Sequence, residues 1–140
     1  KDMIADLADK SMVGSHGYEH NVKSQISESE IIEDLQRNQH MLKKLTGKRT
    51  HFISYPYGGE KAVSLKVGKC AANSGHSVGF TIERAVNLSF FQPLLLARLD
   101  TNDAPAGKIP LLNIDKKKYD TIPPATFGRK WFFNEIEKCC

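Results

Sequence analysis

Apolar residues recur at helical spacing in four parts of the chain. The clearest helix is predicted over residues 28–45, where Ser27 and Glu30 form a Ser-x-x-Glu capping box and Gly47 ends the run. Its apolar stripe is interrupted by Asn38 and consists of Ile31, Leu35, Leu42 and Leu45. Weaker helical patterns predict three further helices over residues 2–9, 61–74 and 129–138.

Three short apolar segments predict strands over residues 51–55, 77–82 and 94–99. A helix between two strands, joined by short links, is typical of a parallel α/β unit. The continuous run from Leu94 to Leu96 favours a strand that is covered on both faces. Prolines and glycines break any regular pattern after Asp103. We therefore expect one α/β domain over residues 1–103 and an irregular extension with a short terminal helix over residues 104–140.

The composition is that of an ordinary globular protein, with 40% hydrophobic and 26% charged residues. The formal net charge is only +4 and the basic residues are scattered, so we expect no nucleic-acid partner. No apolar run approaches the roughly 20 residues that a membrane span needs. Three cysteines argue against a disulfide framework, and Cys70 is predicted to be a buried residue of the 61–74 helix.

The segment from Val13 to His20 carries the most informative chemistry. His16 and His20 are four positions apart in a stretch broken by two glycines, so both imidazoles can converge on one divalent cation. The chain contains five histidines, however, and the spacing alone favours a pair of surface loop histidines. The context is a Tyr-Pro-Tyr-Gly segment over residues 55–58, whose simplest alternative is a plain turn after a strand.

In their order and spacing, these segments resemble the polysaccharide deacetylase (NodB-homology) family over about residues 1–103. The resemblance also rests on Leu45-Thr46-Gly47-Lys48, on Val78-Gly79-Phe80-Thr81 and on Arg98-Leu99-Asp100-Thr101-Asn102-Asp103. It implies an α/β fold that is part of an irregular (β/α) barrel. It also implies a metal-dependent hydrolase that removes N-acetyl groups from an acetylated polysaccharide or amino sugar, in the cell envelope or outside the cell.

The resemblance assigns roles to individual residues. His16 and His20 would be metal ligands for Zn²⁺ or another divalent transition metal, with one coordination position open for water and the substrate carbonyl. The backbone N–H of Tyr57 would donate a hydrogen bond to the tetrahedral oxyanion. Arg98 would orient an active-site carboxylate, although an ordinary salt bridge explains it nearly as well. The substrate-binding residues would be Tyr55, Pro56, Tyr57, Gly58, Arg98 and Asp100.

Two motifs of the family have no counterpart in the sequence. A Thr-Phe-Asp-Asp-like strand end, which would provide the catalytic base and the third metal ligand, is absent. The late Leu-x-x-His motif with the general acid is absent too, because no histidine follows His76. The arginine that usually stands five residues before the proline of the turn is His51 here. A base and an acid each contribute about 10²–10⁴ in rate, so we expect the chain alone to be inactive or nearly so.

Three interpretations remain open on these residues. The first is a part of a metal-dependent deacetylase, with the missing N-terminal part of the same domain as its partner. The opening of the chain at Lys1, already in a helical pattern, favours a piece of a longer sequence. The second is a non-catalytic carbohydrate-binding or structural remnant of that fold. The third is a metal-binding module unrelated to sugars.

Overall fold

The computed structural model describes residues 2–87, 90–103 and 108. The described residues contain three helices, α1 (Asp2–Asp9), α2 (Glu28–Thr46) and α3 (Leu65–Asn73), and three strands, β1 (Phe52–Ser54), β2 (Val78–Arg84) and β3 (Leu96–Arg98). Short 3₁₀ turns cover Lys23–Gln25 and Thr101–Asp103. The helix predicted over residues 129–138 lies outside the described residues, as does the predicted extension after residue 103 except for Lys108.

The three strands form one parallel sheet in the order β1-β2-β3, which confirms the predicted α/β unit. Phe52 pairs with Val78 and Phe80 pairs with Leu96. Ahead of β1 along the chain, Ser15 makes an isolated parallel bridge to β1. Four segments therefore lie side by side in sequence order and run in the same direction. Within the described residues this sheet is open, so the structure shows a parallel α/β fold and does not show the predicted barrel.

The core lies where α2 and α3 pack against each other and against the sheet. Cys70 is 2% exposed, as predicted, and burial raises the pKa of its thiol. Burying each large apolar side chain stabilises the fold by about 1.5–3 kcal/mol relative to leaving it in water. The main members of this cluster are Ile31, Leu35, Ile53, Tyr55, Val63, Val67, Ala71 and Leu95. None of the described helices is long and apolar enough to cross a membrane.

The bounds of α2 agree closely with the prediction because both of its ends are set by local signals. Ser27 accepts a hydrogen bond from the Glu30 N–H, and the Glu30 carboxylate accepts one from the Ser27 N–H. At the other end, Gly47 has a φ of 78° and its N–H donates to the Lys43 carbonyl at 2.8 Å. These hydrogen bonds fix where the helix starts and stops, largely independently of the rest of the fold.

Three other predicted elements are shorter in the structure, and the strand predicted over residues 51–55 covers only Phe52–Ser54. The predicted helix over residues 61–74 begins only at Leu65, because Ser64 is its N-cap and the preceding residues form a turn. The predicted strand over residues 94–99 begins only at Leu96. Its first two residues lie in a turn in which the Leu95 N–H donates to the Gln92 carbonyl at 2.9 Å. The apolar run is nevertheless buried at Leu95 and Leu96, so its burial was predicted better than its backbone conformation.

A buried histidine, His76, connects α2 to the segment that leads into β2. The Gln39 amide nitrogen lies 3.0 Å from His76 Nε2 and also donates to the Thr50 carbonyl at 2.7 Å. His76 Nδ1 lies 3.2 Å from the Ala71 carbonyl oxygen, which can only accept a hydrogen bond. The ring is therefore neutral, with its proton on Nδ1. Burial lowers the pKa of His76 and the charge of His51 acts in the same direction, against the opposing hydrogen bond to Ala71.

Because the folded state disfavours the protonated His76 ring, we expect stability to fall in mild acid. Below the ordinary histidine pKa of about 6.5 the unfolded chain binds a proton that the folded chain does not. The free energy of unfolding should thus decrease as the pH drops from about 7 to 5. Urea denaturation at several pH values would measure this, with His76→Gln giving a flatter profile and the exposed His40→Gln leaving it unchanged. Parallel profiles for wild type and His76→Gln would contradict it.

Candidate metal and substrate site

The histidine loop, residues 15–21, leaves the sheet at the carboxyl end of its strands. The Ser15 N–H donates to the Phe52 carbonyl at 2.8 Å, and the Ser54 N–H donates to the Ser15 carbonyl at 3.0 Å. This pairing places His16 directly after the bridge, beside the residue that ends β1. The Tyr-Pro-Tyr-Gly turn follows β1 at the same edge, where parallel α/β folds gather functional side chains.

His16 is oriented by the end of β1. Its Nδ1 lies 2.7 Å from the Ser54 carbonyl oxygen and 3.0 Å from Ser54 Oγ. A carbonyl oxygen only accepts, so Nδ1 donates its N–H to Ser54, and Nε2 is left as the ring nitrogen that could bind a cation. Histidines that bind a metal through one ring nitrogen commonly donate the N–H of the other ring nitrogen to a backbone carbonyl or a carboxylate, as His16 does here.

His20 lies between two other rings. Its ring centroid is 4.9 Å from that of His16, with the planes tilted by 57°, and 5.1 Å from the Tyr57 ring, which it meets edge-on. All three residues are exposed. Both His20 and Tyr57 have left-handed backbones, with φ values of 52° and 61°. Such non-glycine conformations cost on the order of 1–3 kcal/mol and concentrate at ligand sites. The structure thus brings together the two histidines and Tyr57 that the sequence had selected.

The first half of the turn is buried beneath this cluster. Tyr55 is 2% exposed and its hydroxyl donates to the Leu94 carbonyl at 2.8 Å. Its N–H donates to the Phe80 carbonyl of β2 at 3.2 Å, and burial raises the pKa of its phenol. Pro56 is buried as well. Both residues therefore fix the position of the turn from inside the fold.

The second half of the turn reverses sharply at Gly58. Gly58 has a φ of 48°, and a Cβ added there would lie 2.9 Å from Ile82 Cγ2. The Ile82 N–H donates to the Gly58 carbonyl at 3.1 Å, which ties the turn to β2. Tyr57 is 59% exposed, and its N–H has no backbone acceptor among the described residues. That N–H is the group to which the family resemblance assigns the role of oxyanion donor.

Arg98 and Asp100 lie at the carboxyl end of β3, separated from β1 by β2. Both are exposed. Asp100 accepts hydrogen bonds from the Asn102 N–H at 2.8 Å and from the Asn102 side chain at 2.7 Å, and these lower the pKa of its carboxyl group. The two residues therefore share the edge of the sheet with the histidine loop but lie two strands from β1.

Sequence reasoning missed a polar network beneath the histidine loop. Lys23 Nζ lies 2.5 Å from Asp34 Oδ2, and the two side chains are 0% and 4% exposed. Asp34 also accepts hydrogen bonds from the N–H groups of Tyr18 and Glu19. Burial alone would raise the pKa of Asp34, but these hydrogen bonds and the Lys23 charge together lower it. The one sequence signal was Asn38, the polar residue that interrupts the apolar stripe of α2, and its side chain bonds Ser15 and Gly17 of the same loop.

The donor set fits a transition-metal cation only in part. Zinc binds imidazole nitrogen at about 2.0–2.1 Å, so two ligating nitrogens must lie within roughly 4 Å of each other. Ring centroids 4.9 Å apart, with Nδ1 of His16 rather than Nε2 bonded to the Ser54 carbonyl, are compatible with that requirement. In the described part of the chain, however, no group of three or more histidine, cysteine, aspartate or glutamate side chains could hold an ion.

The structure is thus a parallel α/β unit that carries two neighbouring histidines, His16 and His20, at the carboxyl end of its strands. The chain belongs to the polysaccharide deacetylase family, whose model, described as Polysaccharide deacetylase, matches residues 1–79. No curated protein matches the chain.

Among the solved structures that are similar to it are IcaB and the BpsB deacetylase domain. IcaB from Ammonifex degensii is 26% identical, with a TM-score of 0.56, over 73% of this chain and 48% of that chain. The BpsB deacetylase domain from Bordetella bronchiseptica is 24% identical, with a TM-score of 0.46, over 51% of this chain and 26% of that chain. The chain thus spans about half of the IcaB chain and about a quarter of the BpsB chain.

Proposed function

We propose that the chain is the metal-binding part of a hydrolase that removes N-acetyl groups from an acetylated polysaccharide or amino sugar. Membership of the polysaccharide deacetylase family supports the reaction class. The observation that carries the metal assignment is the pair of histidine rings at 4.9 Å, with His16 Nδ1 held by a carbonyl oxygen. His16 and His20 would hold Zn²⁺ or another divalent transition metal. When bound, such an ion polarises the acyl carbonyl and lowers the pKa of its water.

The turn beside the histidines would bind the substrate. The Tyr57 N–H would donate to the oxygen that becomes negatively charged in the transition state, a contribution typically worth about 3–4 kcal/mol. The exposed Tyr57 ring, next to His20, would face a sugar ring, while Tyr55, Pro56 and Gly58 fix the shape of the turn. Arg98 and Asp100 would border the same groove from the end of β3.

The base, the acid and a third metal ligand would come from outside the described residues, and the N-terminal part of the same domain is the proposed source. The sequence lacks the motifs that supply these groups, and the chain covers only 48% of the IcaB chain. We also propose that the deacetylase-like domain continues through residue 103, beyond the matched residues 1–79. The 140-residue chain alone would then show little or no hydrolysis.

A second candidate function is a non-catalytic carbohydrate-binding or structural remnant of the deacetylase fold. It is favoured by the lack of a three-ligand cluster among the described residues. Binding of an N-acetylated chito-oligosaccharide to the 140-residue chain in the presence of a chelator, with no zinc affinity, would select it over the metal-dependent hydrolase.

Titration of zinc into the 140-residue chain, measured by isothermal calorimetry, tests the metal assignment. We expect His16→Ala and His20→Ala each to weaken zinc binding by at least about tenfold, since each removes a ligand. His40→Ala is the matched control, because His40 is an exposed histidine on α2 away from the loop, and it should bind zinc like the wild type. Equal zinc affinity for all four proteins would reject the site.

A further inference from the structure

Two polar side chains one helical turn apart on α2, Asp34 and Asn38, contact the histidine loop from below. The Asn38 amide nitrogen donates to the Gly17 carbonyl at 2.9 Å, and its oxygen accepts from Ser15 Oγ at 2.7 Å. Residues four apart on a helix lie on the same face, so one row of α2 supports the loop. Asn38 thereby fixes the loop on both sides of His16.

Asp34 fixes the middle of the loop. Its carboxylate oxygens accept from the Tyr18 N–H at 3.1 Å and from the Glu19 N–H at 2.8 Å. Its remaining contact is with Lys23, whose ammonium group also donates to Asn21 Oδ1 at 2.6 Å. A carboxylate accepts several hydrogen bonds at once and donates none. The buried Lys23 cation compensates its charge, which keeps Asp34 ionised and available to both N–H groups.

All three residues between His16 and His20 are thus attached to α2 through their backbone. The loop also lies in direct contact with the ion pair. A Cβ added to Gly17, whose φ is 81°, would lie 2.9 Å from both Asp34 Oδ2 and Lys23 Nζ. The contacts with α2 hold the backbone that carries the two rings.

We propose that Asp34, Asn38 and Lys23 are positioning residues that set the separation and orientation of His16 and His20 for a shared cation. The inference rests on the proposed metal site and extends it to side chains that touch neither the metal nor the substrate. A buried ion pair by itself is weak support for stability, because apolar side chains of similar size often serve as well. An apolar side chain in place of Asp34, however, cannot accept the hydrogen bonds that the two backbone N–H groups donate.

The test compares zinc affinity with stability in matched variants of the 140-residue chain. We expect Asp34→Asn to weaken zinc binding by about 10–100-fold, the usual effect of removing a side chain that supports a ligand. Glu33→Gln, an exposed carboxylate on the same helix, is the control and should leave zinc affinity unchanged. The double variant Lys23→Met, Asp34→Leu replaces the buried ion pair with two apolar side chains. It should stay folded and still bind zinc at least tenfold more weakly.

Two outcomes would overturn the proposal. One is zinc affinity within about twofold of wild type in folded Asp34→Asn and in the double variant, since supporting residues usually change affinity by more. The other is independent of metal: fast hydrogen exchange of the Tyr18 and Glu19 amides in the wild-type chain. The two proposals can also fail separately. If the wild type binds no zinc, the proposed metal site is wrong. If Asp34→Asn nevertheless speeds that exchange and alters the ¹⁵N signature of the His16 tautomer, the positioning role of Asp34 is still supported.

Discussion

Asp34→Leu is expected to lower the free energy of unfolding by about 3–5 kcal/mol, the usual cost of leaving one member of a buried ion pair unpaired. Lys23 is 0% exposed, so its ammonium group cannot reach water without moving the loop. Its other partner, Asn21 Oδ1 at 2.6 Å, carries no charge. Two backbone N–H groups would lose their acceptor in the same variant. Urea denaturation at neutral pH would measure the loss.

A double-mutant comparison separates the unpaired charge from the other effects of Asp34→Leu. Adding Lys23→Met removes the buried cation, so the double variant should recover a large part of the lost stability. The matched control is Glu19→Gln, which breaks the exposed ion pair between Glu19 and Arg37 at 3.1 Å. Exposed pairs contribute about 0–1 kcal/mol, so this control should change little. An Asp34→Leu variant as stable as Glu19→Gln would show that the buried pair is not required.

The elements of the fold that could be predicted from the sequence are those with local signals. The start and end of α2 follow from Ser27, Glu30 and Gly47, which act within a few residues of the helix. The bounds of β3 could not be found in this way. Whether Leu94 and Leu95 belong to the strand depends on the turn and on the Tyr55 hydroxyl that bonds the Leu94 carbonyl from across the core.

The candidate site was predictable to a similar degree. The family resemblance assigned His16, His20 and Tyr57 to one site, and the structure places these three rings together. The support beneath them was not predictable. Lys23 and Asp34 are charged residues, which usually lie at the surface, and only the three-dimensional packing shows that both are buried. The pairing of distant polar residues leaves no periodic signal in a single sequence.

Gly79→Ala is expected to destabilise the protein by about 3 kcal/mol or more, at the upper end of the cost of overpacking a core. Gly79 is buried in β2, and a Cβ there would lie 2.5 Å from the Leu94 carbonyl oxygen and 2.8 Å from the Tyr55 hydroxyl. Neither group can move alone, because the hydroxyl donates to that carbonyl at 2.8 Å. The Gly79 N–H also donates to the Pro93 carbonyl at 2.8 Å, so the chain before β3 would have to shift away from β2. Thermal and urea unfolding would measure the effect.

Gly68→Ala is the matched control for this prediction, because Gly68 is also buried against the segment that precedes β3. A Cβ on Gly68 would meet Leu95 at 3.6 Å and Leu94 at 3.7 Å, which is ordinary van der Waals contact. Alanine in the middle of α3 should therefore be neutral or stabilising, by up to about 1 kcal/mol. Equal effects at the two positions would mean that the backbone near Leu94 yields easily. In that case the Tyr55 hydroxyl bond would not hold the Tyr-Pro-Tyr-Gly turn in place, because the carbonyl that accepts it could move with little cost.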